Sequence, residues 1–378
     1  MGPLSGIKII ELKGIGPGPY AGMLLADLGA EVIVVERASK PSSIAPPSAM
    51  DVLSRGKKSI ALDLKSKEGL DALLKLVEGA DGIFEGFRPG VTERLGFGPD
   101  VCLERNPKIV YGRMTGWGQT GPLAHAAGHD LNYISLTGAA AAIGTADTPV
   151  PPLNLVGDFA GGSMFLVTGM LAALLDAQKS GKGQVIDTAI TDGSAHLMSM
   201  FYTMNTIGAW NTSRESNLLD GGAPFYGAYE TADGKFVSVG PIEPQFFAEM
   251  VTKAGMPERF IKDQNNPKKW VEMKNTFIEV FKSKTREEWA DIFEGSDACV
   301  AGILDFKEAV EHPHNKARDT YIEVGGVQQP APAPRFSRTP CDKPSVPQSE
   351  GKNTLSVLKD WGFSDSEIES LSKAGALT

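Results

Sequence analysis

The 378-residue chain is short of cysteine, of histidine and of positive charge, and each shortage removes a class of function. Its three cysteines, Cys102, Cys299 and Cys341, are odd in number, far apart and outside any CxxC pair. That argues against a disulfide framework and a structural zinc site, and makes a reducing compartment the default. Of the five histidines, only His312-Pro313-His314 approaches a metal-ligand spacing, in a segment that reads as a loop, so no metal or redox cofactor is expected. The most apolar run, Met164 to Leu175, is too short to cross a bilayer. Residues 7 to 12 are too short and, through Lys8 and Glu11, too charged for a signal-peptide core; neither a myristoylation signal at the start nor a peroxisomal tail at Ala376-Leu377-Thr378 is present. The expectation is a cytoplasmic protein without a membrane partner. Acidic residues outnumber basic ones by 46 to 37, a formal charge of -9, which disfavours duplex nucleic acid as a partner. A local basic cluster can still bind an anionic small molecule.

What is present is a large apolar fraction, 42%, enough for a core spread over about two domains of roughly 100 to 200 residues each. Residues 7 to 37 read as strand (Ile7 to Leu12), glycine turn, helix (Tyr20 to Leu28) and strand (Glu31 to Glu36), the βαβ unit of a doubly wound α/β sheet. Further strands are predicted at Ser59 to Leu64, Gly82 to Glu85, Ile109 to Met114 and Gln184 to Ile190, with a helix over Lys67 to Gly79. Residues 160 to 178 are apolar nearly all round and predict a helix buried on every side. Residues 195 to 225 read as a linker, a helix plus an extended connection. Residues 226 to 310 form a smaller α+β domain that starts with a hairpin turning at Ala232-Asp233-Gly234. Residues 311 to 334 are a return linker, the Pro- and Gln-rich stretch 327 to 348 an extended return strand, and the tail predicts two short helices around Trp361-Gly362-Phe363.

Several motifs carry chemistry. Gly14-Ile15-Gly16-Pro17-Gly18-Pro19 occupies the strand-to-helix turn where a dinucleotide fold holds phosphate, but Pro17 and Pro19 remove two N–H donors, so a simple tight turn competes with the ligand reading. Arg37 follows the second strand, where Arg can hold a ribose phosphate. Lys57, Lys58 and Lys65 flank the third strand, and Phe87-Arg88-Pro89-Gly90 with Arg94 follows the fourth; cations therefore gather at strand ends, where α/β sheets bind ligands. His129, between Gly128 and Asp130, and Asp158, ahead of the long apolar helix, are an imidazole and a carboxylate in glycine-rich settings, suited to acid/base work. Asp158 also fits a plain N-cap, a role compatible with catalysis if free N–H groups at the same helix start stabilise an oxyanion. Glu243, held between Pro241 and Pro244, suits an orienting role.

Ile10-Glu11-Leu12, Leu25 to Val32, Val35-Glu36-Arg37, Phe87 to Gly90, Gly116-Trp117-Gly118-Gln119-Thr120-Gly121-Pro122, Gly181 to Gln184 and the tail around Trp361 together resemble the family III CoA-transferases over essentially the whole chain. Within that family, Gly128-His129-Asp130, Asp158 and Ile242-Glu243-Pro244 resemble the alpha-methylacyl-CoA racemase branch; the transferases keep the carboxylate but generally lack the histidine. The resemblance implies an interlocked homodimer with the active site between subunits. Each chain would have a Rossmann-like, parallel-sheet large domain, 1 to 194 completed by 335 to 378, and a small domain. It implies an isomerase that epimerises 2-methylacyl-CoA thioesters by two-base proton transfer between His129 and Asp158, with Glu243 holding the His129 tautomer. Arg37, Leu62, Lys65, Gly86, Phe87, Arg88 and Arg94 would hold the CoA nucleotide and phosphates, and Gly128, Asp130 and Tyr133 the thioester end. Met164, Met198, Met200 and Met204 are candidates for an adaptable acyl-chain surface. CoA transfer between carboxylic acids through Asp158, and a catalytically silent CoA-binding protein, are the alternatives.

Overall fold

The computed structural model describes residues 2–37 and 48–377. Six strands, β1 (Lys8–Leu12), β2 (Glu31–Glu36), β3 (Lys58–Ala61), β4 (Gly82–Glu85), β5 (Val110–Thr115) and β6 (Gln184–Ala189), form an all-parallel sheet in the order β3-β2-β1-β4-β5-β6. This is the doubly wound α/β order, whose ligand crevice opens at the carboxyl ends of the strands. Both faces are covered, so the central strands read as apolar runs rather than alternating ones. Alternate residues still go to opposite cores. Ile10, Leu12, Ile33 and Val35 pack with Leu73, Leu76, Phe97 and Tyr111, whereas Ile9 and Val32 pack with Leu25, Phe84, Leu166 and Met170. The tail helices Thr354–Asp360 and Asp365–Lys373 close the first core with Val357, Leu358, Ile368 and Leu371.

Chain contacts divide the molecule into two compact units. One comprises 1–137, 153–198 and 317–378; the other comprises 138–152 and 199–316. The second unit holds an antiparallel sheet of β7 (Gly227–Glu230), β8 (Phe236–Val239) and β9 (Val300–Ile303) over an aromatic core of Phe225, Tyr229, Phe247, Phe277, Phe281 and Trp289. The segment 138–152 belongs to it because Arg214 donates to the carbonyls of Ala141, Thr145 and Ala146, and Glu215 accepts the Ala146 N–H. The stretch read as a linker contains the helix Ser199–Thr206. The return segment is a strand only over Val327–Pro330, paired with Tyr321–Val324, and Arg55 anchors it through Gln329 and the Pro330 carbonyl while pairing with Asp27 at 2.6 Å.

The long apolar helix departs most from expectation. Leu155–Met164 is wound as a π-helix and runs directly into the α-helix Phe165–Ser180, a continuous 26 residues long and apolar enough to cross a membrane by length and composition. The sequence reading, based on Met164 to Leu175 alone, made it too short. Burial identifies it as a core helix on one side: Leu166, Val167, Met170 and Ala173 pack in the core it shares with Phe84, Val110 and Met114, whereas Met164 and Leu175 are exposed. It is therefore not buried on every side in the single chain.

Candidate active site

The site is built where the first helix, Pro17–Asp27, and the π-helix meet at the carboxyl edge of the sheet. Gly16 caps the first helix with φ +71°, and a Cβ there would lie 3.1 Å from Asp158 Oδ2; only glycine lets the loop pass this close in that conformation. Tyr20 stacks on Phe159 with ring centroids 4.5 Å apart, and the buried Ser163 hydroxyl reaches the carbonyls of Pro17 and Asp158 at 2.7 and 3.0 Å. Loop and π-helix are thereby joined on both sides of Asp158.

Asp158 is not the N-cap. Asn154 holds that position, and Asp158 lies one turn inside, where the wide π-turn is closed by the Phe159 N–H bonding the Asn154 carbonyl five residues back. The Asp130 carboxylate accepts the Asp158 N–H at 2.5 Å, and the Gly157 N–H acts on it electrostatically. A Cβ at Gly157 would collide with the Asp130 carboxylate, so a larger residue would push that side chain aside. The bond from Asp158 to Asp130 corrects one expectation, because the Asp158 N–H is already committed and cannot serve a developing oxyanion. The Asp158 side chain receives a long hydrogen bond from Asn154 Nδ2, 3.4 Å. Burial raises its pKa, the Asn154 bond opposes the rise, the nearby Asp130 charge adds to it, and His129 opposes it. His129 thus acts electrostatically on Asp158, and its neighbour Asp130 is bonded to the Asp158 backbone. The His129 side chain is exposed, and its own N–H donates to Asn132 Oδ1 at 3.0 Å.

Tyr133, on the helix Asp130–Ser135, donates its hydroxyl to the Gly128 carbonyl and meets Trp117 edge-on at 4.8 Å. A Cβ at Gly128 or Gly116 would collide with the Tyr133 ring, so the glycines quoted from both motifs serve one aromatic lock on the His129 loop. Burial raises the Tyr133 pKa, as does the Asp158 charge, with Arg88 opposing. Arg88 therefore lies within electrostatic reach of the same cluster. Gly86, Arg88, Arg94, Lys65 and Arg37 are exposed and Phe87 is half-buried, while Glu85 accepts the Phe87 N–H at 2.6 Å and shapes the loop.

Two basic residues do not join this set. Lys57 is buried against Glu11 at 2.6 Å and the Pro19 carbonyl at 2.8 Å, and Lys58 pairs with Glu31 at the opposite, amino end of the sheet. Leu62 is 1% exposed as a whole residue and lies in the core, with its N–H bonded to the Glu36 carbonyl, so neither its side chain nor its amide is presented to a ligand. Glu243 belongs to the second unit, exposed at the start of the helix Pro244–Lys253, with Gln264 fixing the preceding turn through the carbonyls of Pro241 and Ile242. Among the described residues no three His, Cys, Asp or Glu side chains converge as metal ligands. Asn154, Ser163 and the bracing role of Asp130 were missed from sequence; the only signal for Asn154 is its place four residues before Asp158.

The chain is 44% identical to mouse alpha-methylacyl-CoA racemase over 97% of its length and 95% of the relative's. It is 43% identical to the human protein of the same name, over 97% and 96%. A CaiB/BaiF family protein from Brucella suis shares the fold with a TM-score of 0.81 at 24% identity, covering 95% of this chain and 99% of that one. The model of CoA-transferase family III matches residues 4–353, and with a doubly wound sheet, the quoted motifs and near full-length relatives all in agreement, the chain belongs to CoA-transferase family III.

Proposed function

We propose that the protein is an isomerase that epimerises the 2-methyl centre of 2-methylacyl-CoA thioesters. The observation that carries this reading is the pairing of an exposed imidazole, His129, with a half-buried carboxylate of raised pKa, Asp158, through Asp130. Carboxylate and imidazole are the two bases a 1,1-proton transfer needs. One takes the proton from the carbon beside the thioester carbonyl, and the other delivers a proton to the opposite face of the enolate-like intermediate. Each positioned base contributes about 10² to 10⁴ in rate. The enolate oxygen needs donors, and since Asp158 spends its N–H on Asp130, we assign the role to the first two N–H groups of the helix Asp130–Ser135, those of Asp130 and Leu131, because the next two, of Asn132 and Tyr133, already bond the His129 carbonyl. Such donors supply roughly 3 to 4 kcal/mol.

Arg37, Lys65, Arg88 and Arg94, with the Gly86-Phe87 loop, are the proposed hold on the CoA nucleotide and phosphates; Gly128, Asp130 and Tyr133 hold the thioester end. Met164 and Met200, 44% and 52% exposed, offer thioether surface to an acyl chain. Glu243 is proposed to orient His129, as a carboxylate fixes an imidazole tautomer. The reading includes a cytoplasmic homodimer with the active site between subunits and no metal or redox cofactor. Exposed apolar side chains on the first unit, among them Leu131, Leu155, Leu175 and Val185, suit a second chain. His129 favours isomerisation over CoA transfer through Asp158, which needs only the carboxylate.

The test is to incubate one enantiomer of a 2-methylacyl-CoA in deuterated water with no acceptor acid. Loss of chirality with deuterium entering the α position supports the isomerase. Retained chirality there, with CoA passing to a carboxylic acid added in a second incubation, establishes the transferase, and neither change establishes a silent binder.

A further inference from the structure

We infer that the Asp130 side chain is a positioning residue for the proton transfer, a brace that sets the His129 loop against the π-turn bearing Asp158. The inference rests on the isomerase reading for its kinetic part and on geometry for the rest. Asp130 directly follows His129, and its Oδ1 accepts the Asp158 N–H at 2.5 Å. The contact is so close that a Cβ at Gly157 would displace the Asp130 carboxylate. The other oxygen, Oδ2, is buried without a hydrogen-bond partner. A carboxylate held in this way is costly unless it does something, because an unpaired buried acceptor carries a desolvation penalty.

Other bonds complete the grip on Asp158. Ser163 donates to the Asp158 carbonyl and Asn154 to its side chain, whereas Asp130 ties it to the loop that carries the other base. The consequence is that the spacing of the two bases depends on one carboxylate that need not touch the reacting carbon. Displacements of about 1 Å between reacting groups cost on the order of 10²-fold in rate. The charged or titratable groups acting on Asp158 are Asp130 and His129, and Asp158 in turn acts on Tyr133, which Arg88 also influences. Asp130 is the anion in this set that opposes ionisation of Asp158.

Three forms separate the contributions: wild type, Asp130→Asn, which keeps an acceptor and the shape but not the charge, and Asp130→Ala, which keeps neither. With 2-methylacyl-CoA as substrate, Asp130→Ala is expected to lose about 10²-fold in kcat with KM within about threefold. Asp130→Asn is expected to lose about tenfold, with the acid limb of its kcat profile moved to lower pH because the opposing charge is gone. Amide hydrogen exchange of peptides covering 155–160, read without substrate, is expected to rise in Asp130→Ala and stay near wild type in Asp130→Asn. Equal protection in wild type and Asp130→Ala, or a raised KM with unchanged kcat, overturns the inference. A wild type that never exchanges the α-proton overturns the isomerase reading instead, while the amide result still decides whether the brace exists.

Discussion

Two carboxylates beside the first helix, Glu11 and Asp158, have raised pKa values chiefly through burial, yet the protein treats them oppositely. Glu11 is 1% exposed and paired at 2.6 Å with Lys57, which is also buried and also donates to the Pro19 carbonyl; Gly22 leaves room for the pair and for nothing else. Asp158 is only half-buried, and its side chain has an amide donor at 3.4 Å, with a second carboxylate bonded to its backbone. Burial alone does not make a carboxylate reactive. Glu11 is spent on a cation and fixes the helix, whereas Asp158 is held by its backbone and leaves its oxygens open to a substrate. The difference is where the hydrogen bonds go.

The contrast can be broken at either end. Replacing His129 by Ala or Asp158 by Asn should lower the racemisation rate about 10²- to 10⁴-fold in steady-state assays, with little change in melting temperature. Lys57→Met reverses the pattern. It strands Glu11 in the core and should cost about 3 to 5 kcal/mol in urea unfolding, and a second change of Glu11 to Leu should recover most of that loss. Neither effect should appear in the other measurement.

A third buried carboxylate sharpens the rule. Burial pushes Glu85 up to about 7 from an ordinary 4.5, against the Phe87 N–H and the Arg113 guanidinium at 3.1 Å. A carboxyl whose folded pKa is raised stabilises the fold fully below the unfolded value of about 4.5, and that contribution is lost as pH rises through about 7. Relative to Glu85→Gln, the wild type should therefore lose on the order of 2 to 3 kcal/mol between pH 4.5 and 8, measured by guanidinium unfolding at each pH. The smallest effect belongs to Asn154→Ala, which removes one long bond to the Asp158 carboxylate. It should lower kcat about three- to tenfold and move the acid limb to higher pH, opposite in sign to Asp130→Asn.

Much of this was legible in the sequence because the signals are local. Val32 to Val35 is β-branched or apolar throughout, as a strand covered on both faces must be, and the order of strands and helices implied the doubly wound sheet. His129 and Asp158 stood out through their glycine neighbours. The π-turn did not, because nothing local selects it. It is imposed by close approaches, Gly157 to Asp130, Gly161 to Ser194 and Gly162 to Pro17, between residues far apart in the chain. Lys57 was misread for a related reason, since a lysine reads as surface charge until the fold shows the carboxylate 46 positions away that buries it. Asn154 lies in a Pro-rich approach to the helix with no periodicity to mark it.

The central claim is that His129 and Asp158 flank one carbon. A structure of the protein with a 2-methylacyl-CoA bound tests it most directly. The account predicts an imidazole nitrogen and a carboxylate oxygen each about 3 to 3.5 Å from the α-carbon, on opposite faces of the plane through that carbon and the thioester. Both groups on the same face, or either one turned away from the α-carbon, would contradict it.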